Sequence, residues 1–185
     1  MAHEDKVLEV MRSIKIADKH TIAEIIGPKV GWKAGVSRVN NTYKASKTLV
    51  DLGKLVQGPG FFRTHDCRSN YSEHAALLTK TLAELFKYGD PIIAREHLIS
   101  PISIRPDALC LIRKNSKALF FVLEVRISEE ESYLRQKVTA LRNFEDALPY
   151  FSNLFQVRIP HFPILVKGEP IEGTIEFDRY LKEIM

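Results

Sequence analysis

The chain has 185 residues, enough for one large domain or two small ones, and its 45% hydrophobic and 27% charged residues are ordinary for a globular protein with a real core. No apolar run approaches the roughly 20 residues that span a bilayer, and the start, Met1-Ala2-His3-Glu4-Asp5, lacks the basic-then-apolar order of a signal peptide. A cytoplasmic protein without membrane contact is therefore expected. Net charge is +4, but residues 1–70 hold 12 Lys+Arg against 7 Asp+Glu, a balance of +5 that leaves −1 for the rest. The excess positive charge thus lies in the first third, as it does in a segment that meets a polyanion.

Lys6 to Lys15 carries Val7, Leu8, Val10, Met11 and Ile14 at the i, i+3, i+4, i+7 repeat of an amphipathic helix. Asp18 or Thr21 can cap a second helix that buries Ile22, Ala23, Ile25 and Ile26 and ends at Gly27-Pro28. A connector with the only tryptophan, Trp32, leads to a third amphipathic helix over Val36 to Leu52, its stripe made by Val39, Tyr43, Ser46, Leu49, Val50 and Leu52. Trp32 is expected to anchor the connector and Tyr43 to lie in the core. Two strand-like pieces, Lys54 to Gln57 and Phe61 to Thr64, flank the turn signal Gly58-Pro59-Gly60.

Three helices and a hairpin in this order, over residues 5–65, resemble the winged helix-turn-helix domain. The resemblance implies double-stranded DNA as partner, with the third helix in the major groove. The matching helix presents Ser37, Arg38, Asn40, Asn41, Lys44 and Lys47, and Gln57 and Arg63 flank the wing tip. Arg and Asn can read guanine and adenine edges, whereas Lys and Ser suit phosphates.

The polar stretch from His65 to Ser72 is the expected junction, giving a first domain over 1–68 and a second over 69–185. Ser72 can cap a helix running to Tyr88, with Ala75, Leu78, Leu82, Leu85 and Phe86 on one side and Gly89-Asp90-Pro91 at its end. A first strand is expected within Pro91 to Ile99, then strands over 105–113 and 118–127. If Asn115-Ser116 are the central turn residues, paired residues have numbers that sum to 231, so Asp107 lies opposite Glu124. Side chains alternate along a strand, and Arg105, Asp107, Glu124 and Arg126 then share one face. Like charges placed directly opposite are unfavourable unless a cation sits between them.

Both faces of this hairpin are otherwise apolar, as in a central pair of strands covered by helices on both sides. Glu129-Glu130-Glu131 places negative charge at the start of a long helix whose stripe is Leu134, Val138, Leu141, Phe144 and Leu148, stopped with the help of Pro149. A strand over Phe162 to Val166 and a terminal helix over Glu176 to Ile184 complete the order α-β-β-β-α-β-α. Cys67 and Cys110 read as reduced thiols, and the six scattered His residues have no zinc-ligand spacing.

An opening helix, a hairpin bearing Pro-Asp and then Glu-x-basic, and a following helix resemble the restriction-endonuclease-like core, the PD-(D/E)xK type. The fold class expected is therefore α+β, an N-terminal winged helix-turn-helix followed by an α/β restriction-endonuclease-like domain with a central mixed sheet. The resemblance implies that Asp107 and Glu124, with Glu73 on the opening helix, bind magnesium if the protein is a nuclease. The expected lysine is replaced by Arg126, which keeps its proton and cannot act as a base, and Lys137 on the following helix is the available substitute.

A winged helix joined to such a domain, with His74, Arg-Pro-Asp-Ala, Leu-Glu-Val, an acidic stretch and a helix holding Lys137, is similar to the replication-relaxation family of plasmids and mobile elements. This implies DNA binding in replication, DNA relaxation or its control, with no cofactor, and a nuclease-like domain whose carboxylates are ion-paired, Asp107 with Arg105 or Arg126 and Glu124 with Arg126. Two alternatives stand beside it, a magnesium-dependent endonuclease using Asp107, Glu124, Arg126 and Lys137, and a winged-helix transcription regulator. Palindromic sites are usually bound by dimers, and Phe177, Tyr180, Leu181 and Ile184 can pack within a chain or between the chains of a homodimer.

Overall fold

The computed structural model describes residues 3–67, 72–114, 117–127 and 131–184. Among these the chain is α+β, with seven α-helices, a three-stranded antiparallel sheet and a five-stranded mixed sheet, arranged in two compact units over residues 1–87 and 88–185. No helix among the described residues is long and apolar enough to cross a membrane.

In the first unit α1 (His3–Ile14) buries Val7, Val10, Met11 and Ile14, the stripe that the helical repeat marks. α2 (Lys19–Lys29) starts at Asp18, whose carboxylate accepts the backbone N–H groups of His20 and Thr21. It runs through Pro28 to Lys29 instead of ending at Gly27-Pro28, giving up the one backbone hydrogen bond that a proline cannot donate. The amides of Val30 and Trp32 then close the last turn on the carbonyls of Ile26 and Gly27. α3 (Val36–Asp51) follows Gly35, whose φ of 121° turns the chain sharply into the helix.

The hairpin is β2 (Val56–Gly58) and β3 (Phe61–Arg63). A third strand, β1 (Ile16–Ala17), pairs antiparallel with β3, Ile16 opposite Arg63, to give the order β1-β3-β2. Two residues are too few to show alternation, so β1 has no signature in the sequence. α4 (Glu73–Leu85), capped by Ser72, packs on this unit as well, and Thr79 Oγ1 donates to the carbonyl of Ile16 at 2.8 Å in the interior. The compact units therefore divide at Lys87/Tyr88, after this helix, whereas the polar stretch suggested a junction before it; residues 68–71 of that stretch lie outside the described residues.

In the second unit the sheet order is β4-β5-β6-β7-β8, with β4 (Ile92–Arg95), β5 (Ala108–Lys114) and β6 (Lys117–Val125) antiparallel and β7 (Ile164–Lys167) and β8 (Ile175–Glu176) added in parallel. β5 and β6 pair Ala108 with Leu123 and Cys110 with Phe121, the register whose numbers sum to 231. The turn residues Asn115 and Ser116 lie outside the described residues.

One face of the sheet packs Leu109, Leu111, Phe120, Val122, Ile164 and Val166 against α5 (Glu131–Arg142) and α6 (Ala147–Phe155), with Phe151 at the centre among Phe120, Tyr150 and Phe162. On the other face Phe121 meets Phe177 and Tyr180 of α7 (Phe177–Ile184), so that helix packs within its own chain. The expected long helix after β6 is in fact two. α5 ends at Arg142, and Pro149 stands in the first turn of α6, where its missing N–H would have no helical partner. Of the three glutamates expected at the start of this segment, Glu131 opens α5, and Glu129 and Glu130 lie outside the described residues.

Candidate functional site

Each unit carries one set of the residues singled out by the sequence. On α3 of the first unit successive residues turn by about 100°, so Val36, Ser37, Asn40, Asn41, Lys44 and Lys47 fall within an arc of about 140°. The opposite side buries Thr42, Ala45, Ser46 and Leu49 against the core. Ser37, Asn40, Asn41 and Lys44 are exposed. Lys47 is half-buried and its Nζ donates to Gln57 Oε1 on β2 at 3.0 Å, tying the helix to the hairpin.

Three residues stand differently from the sequence expectation. Arg38 lies on the buried side of the turn, donates from Nη2 to the carbonyl of Trp32 at 2.7 Å, and covers Gly27 so closely that a Cβ there would sit 2.3 Å from its Nε. It braces the connector between α2 and α3, and Trp32 takes part in the same brace while meeting His3 edge-on at 4.6 Å. Arg63 donates from Nη1 to the carbonyl of Cys67. Tyr43, expected in the core, is 40% exposed, tilted towards Phe62 with the ammonium of Lys19 over its ring.

In the second unit, the register that sets Ala108 against Leu123 brings Asp107, just before β5, opposite Glu124 near the end of β6. Asp107 Oδ2 accepts the backbone N–H of Val125 at 2.7 Å, so this carboxylate also fastens the end of the hairpin. Glu124 is 3% exposed, and its Oε2 accepts from Lys137 Nζ at 2.8 Å; Lys137 itself is 6% exposed. The ring of Tyr133, one helical turn before Lys137, lies 4.9 Å from that ammonium. Tyr133 was not singled out in the sequence, although its i, i+4 spacing from Lys137 is visible there.

Burial pushes the Glu124 carboxyl up to about 8, and the Asp107 carboxylate adds to this, while Lys137 and the Asp107 amide oppose it. Burial pulls the Lys137 ammonium down, but Glu124 and Asp107 outweigh that and hold it above its ordinary value. Two carboxylates and one ammonium leave the cluster one positive charge short, and burial together with the neighbouring Asp107 carboxylate favours a proton on Glu124. Glu124 Oε1 is buried with no hydrogen-bond partner.

The expected partner of Glu124 is corrected accordingly. Glu124 pairs with Lys137, while Arg126 sits 3.6 Å from Glu131 and donates to the carbonyl of Glu169. Glu73 is exposed on α4 in the first unit, and the His74 beside it is half-buried. Among the described residues no group of three or more His, Cys, Asp or Glu could hold a metal ion. In charge and donor type, Asp107 and the bare Oε1 of Glu124 suit a hard cation. The space does not fit: the cleft lined by Glu124, Arg126, Tyr133 and Lys137 has about 10 Å³ free, room for about one water, whereas magnesium keeps several. Lys137 occupies the neutralising place.

Compared with family models, characterised proteins and solved structures, the chain gives no match.

Proposed function

We propose that the protein binds double-stranded DNA through its first unit, as a winged helix-turn-helix, and that its second unit is a non-catalytic domain of restriction-endonuclease-like type. In this reading it is a protein of a plasmid or mobile element, of the replication-relaxation kind, acting in replication, DNA relaxation or its control. The observation that carries DNA binding is the exposed face of α3, with Ser37, Asn40, Asn41 and Lys44 on one arc, Lys47 joined to the hairpin, and the one acid of the helix, Asp51, held back to its last residue. The buried Glu124–Lys137 pair supports the non-catalytic reading, because the groups that a nuclease would turn towards substrate are spent on each other in a closed cleft.

A second reading, a magnesium-dependent endonuclease, is favoured by one observation. Asp107, Glu124 and Lys137 gather at one place, with Glu124 Oε1 bare. It requires the cleft to open.

Labelled duplex, single-stranded and branched DNA, incubated with the full chain and magnesium, separates the two. Binding without cleavage, weakened by Lys44→Ala and unchanged by Asp107→Ala or Glu124→Ala, is the expected result. Lys44→Ala should also lower the salt dependence of binding by about one counterion. Magnesium-dependent cleavage lost in both carboxylate variants would establish the nuclease, and no binding to any DNA at low salt would remove both readings.

A further inference from the structure

Resting on the reading of α3 as a DNA-recognition helix, we infer that this protein selects A·T base pairs in the major groove, with Asn40 and Asn41 on adenine and Val36 on a thymine methyl. Charge complementarity supplies the occupant: between Glu24 and Asp51 the chain holds no acid, and Lys29, Lys33 and Lys44 stand there beside Arg38 and Lys47, which are bonded within the unit.

The base preference follows from which side chains are left to read. Guanine is recognised chiefly by a two-pronged Arg or Lys contact to O6 and N7, and the one arginine of this helix is withdrawn. Arg38 projects on the buried side, donates to the Trp32 carbonyl and packs over Gly27, so it cannot reach a groove without dismantling the connector. Lys47 is turned to Gln57 of the hairpin. Lys44 lies a further turn along the helix, where a flexible point charge suits a phosphate.

In helix-turn-helix docking, the residues near the N-terminal end of the recognition helix meet the base edges. Here those are Val36, Ser37, Asn40 and Asn41. An Asn amide matches the N6–H donor and N7 acceptor of adenine, and among the described residues neither Asn has a hydrogen-bond partner in the chain that would hold it back. Val36 is 76% exposed at the very start of α3, lifted out by the turn at Gly35, and it shares the arc of the two Asn residues. An isopropyl group held out beside two adenine-competent amides is matched by the C5-methyl of thymine, an apolar group that the major groove offers only at A·T pairs.

The test uses the full chain and a pool of randomised duplexes, followed by anisotropy titrations on the selected site. A core of A·T pairs is expected. Replacing one thymidine by deoxyuridine, which removes only the methyl, should weaken binding about fourfold for one buried CH₃-sized group. Val36→Ala should lose affinity for the thymidine site and show no further loss with deoxyuridine. Asn40→Ala or Asn41→Ala should lower discrimination at one adenine by about 5- to 150-fold, and 7-deazaadenine at that position should have no added effect. All three side chains are exposed, so these variants keep the fold. A G·C core, binding without base preference, or a deoxyuridine penalty undiminished in Val36→Ala would each overturn the inference while leaving DNA binding intact. Failure to bind any duplex would instead remove the proposed function on which it rests.

Discussion

Replacing Glu124 by Gln removes one of two facing carboxylates while keeping the shape of the buried side chain. In the folded chain this carboxyl titrates at about 8, against an ordinary 4.5. Its folded pKa is raised, so the native state holds the proton more tightly, and the stability it contributes is complete below about 4.5 and is lost as pH rises towards 8. The full difference is roughly 5 kcal/mol, approached at about 1.4 kcal/mol per pH unit inside that window.

The assay is amide hydrogen exchange of β5 and β6, read as an opening free energy between pH 5 and 8.5, because it reports this unit alone. His97 titrates in the same unit with the opposite sign, since burial lowers its pKa, and it is common to both proteins. The difference between wild type and Glu124→Gln therefore reports the Glu124–Lys137 pair, since the variant also takes away the carboxylate that holds the Lys137 ammonium up. Wild type should lose stability with rising pH, and the variant should lose several kcal/mol less. Equal slopes in the two proteins, or a wild type that gains relative stability towards pH 8, would refute the view that Glu124 is the member of the cluster that holds the proton.

Other changes test the packing and the connections around the two sites. Arg38→Met removes the hydrogen bond to the Trp32 carbonyl and should cost about 1–2 kcal/mol, read by denaturant unfolding followed through the fluorescence of the single tryptophan. Asp18→Ala takes away the acceptor for the first amides of α2 and should cost about 1 kcal/mol in the same experiment; no change would mean that the cap is dispensable. Phe151→Ala empties the aromatic centre beneath α6 and should cost about 3–5 kcal/mol, seen as a lower melting temperature of the second unit. Gly168→Ala places a Cβ 2.6 Å from the backbone oxygen of Arg126, at a φ of 116°, and should cost roughly 2 kcal/mol or more, with protection lost first at the β6–β7 end beside Glu124.

The parts legible in advance are those governed by short-range repeats. The stripe of α1, the Asp18 cap and the extent of α3 follow from helical spacing and capping chemistry. The β5–β6 register follows from alternation and a turn, and it brings Asp107 opposite Glu124. Elements with too little sequence to carry a period were not legible, namely the two-residue strands β1 and β8. The break between α5 and α6 was hidden for a related reason. Phe144 and Leu148 continue an apolar rhythm that a single helix would also show, and Pro149 is as compatible with a first turn as with an end.

For the sites, residue type and position along the chain determined that the basic charge lies in the first third, that α3 presents Asn and Lys, and that two carboxylates face each other across a hairpin. Only the tertiary structure decided what those groups are bonded to. Arg38 turns inwards because its place on the helix lies over Gly27 and a waiting carbonyl, and Glu124 takes Lys137 in preference to Arg126 because α5 crosses the sheet face to which Glu124 points. A side chain's repeat names the face it occupies, but the partner on that face comes from a distant part of the chain. Burial then sets the energy of the contact: the same Glu and Lys in water would be worth little, and in the interior they govern each other's protons.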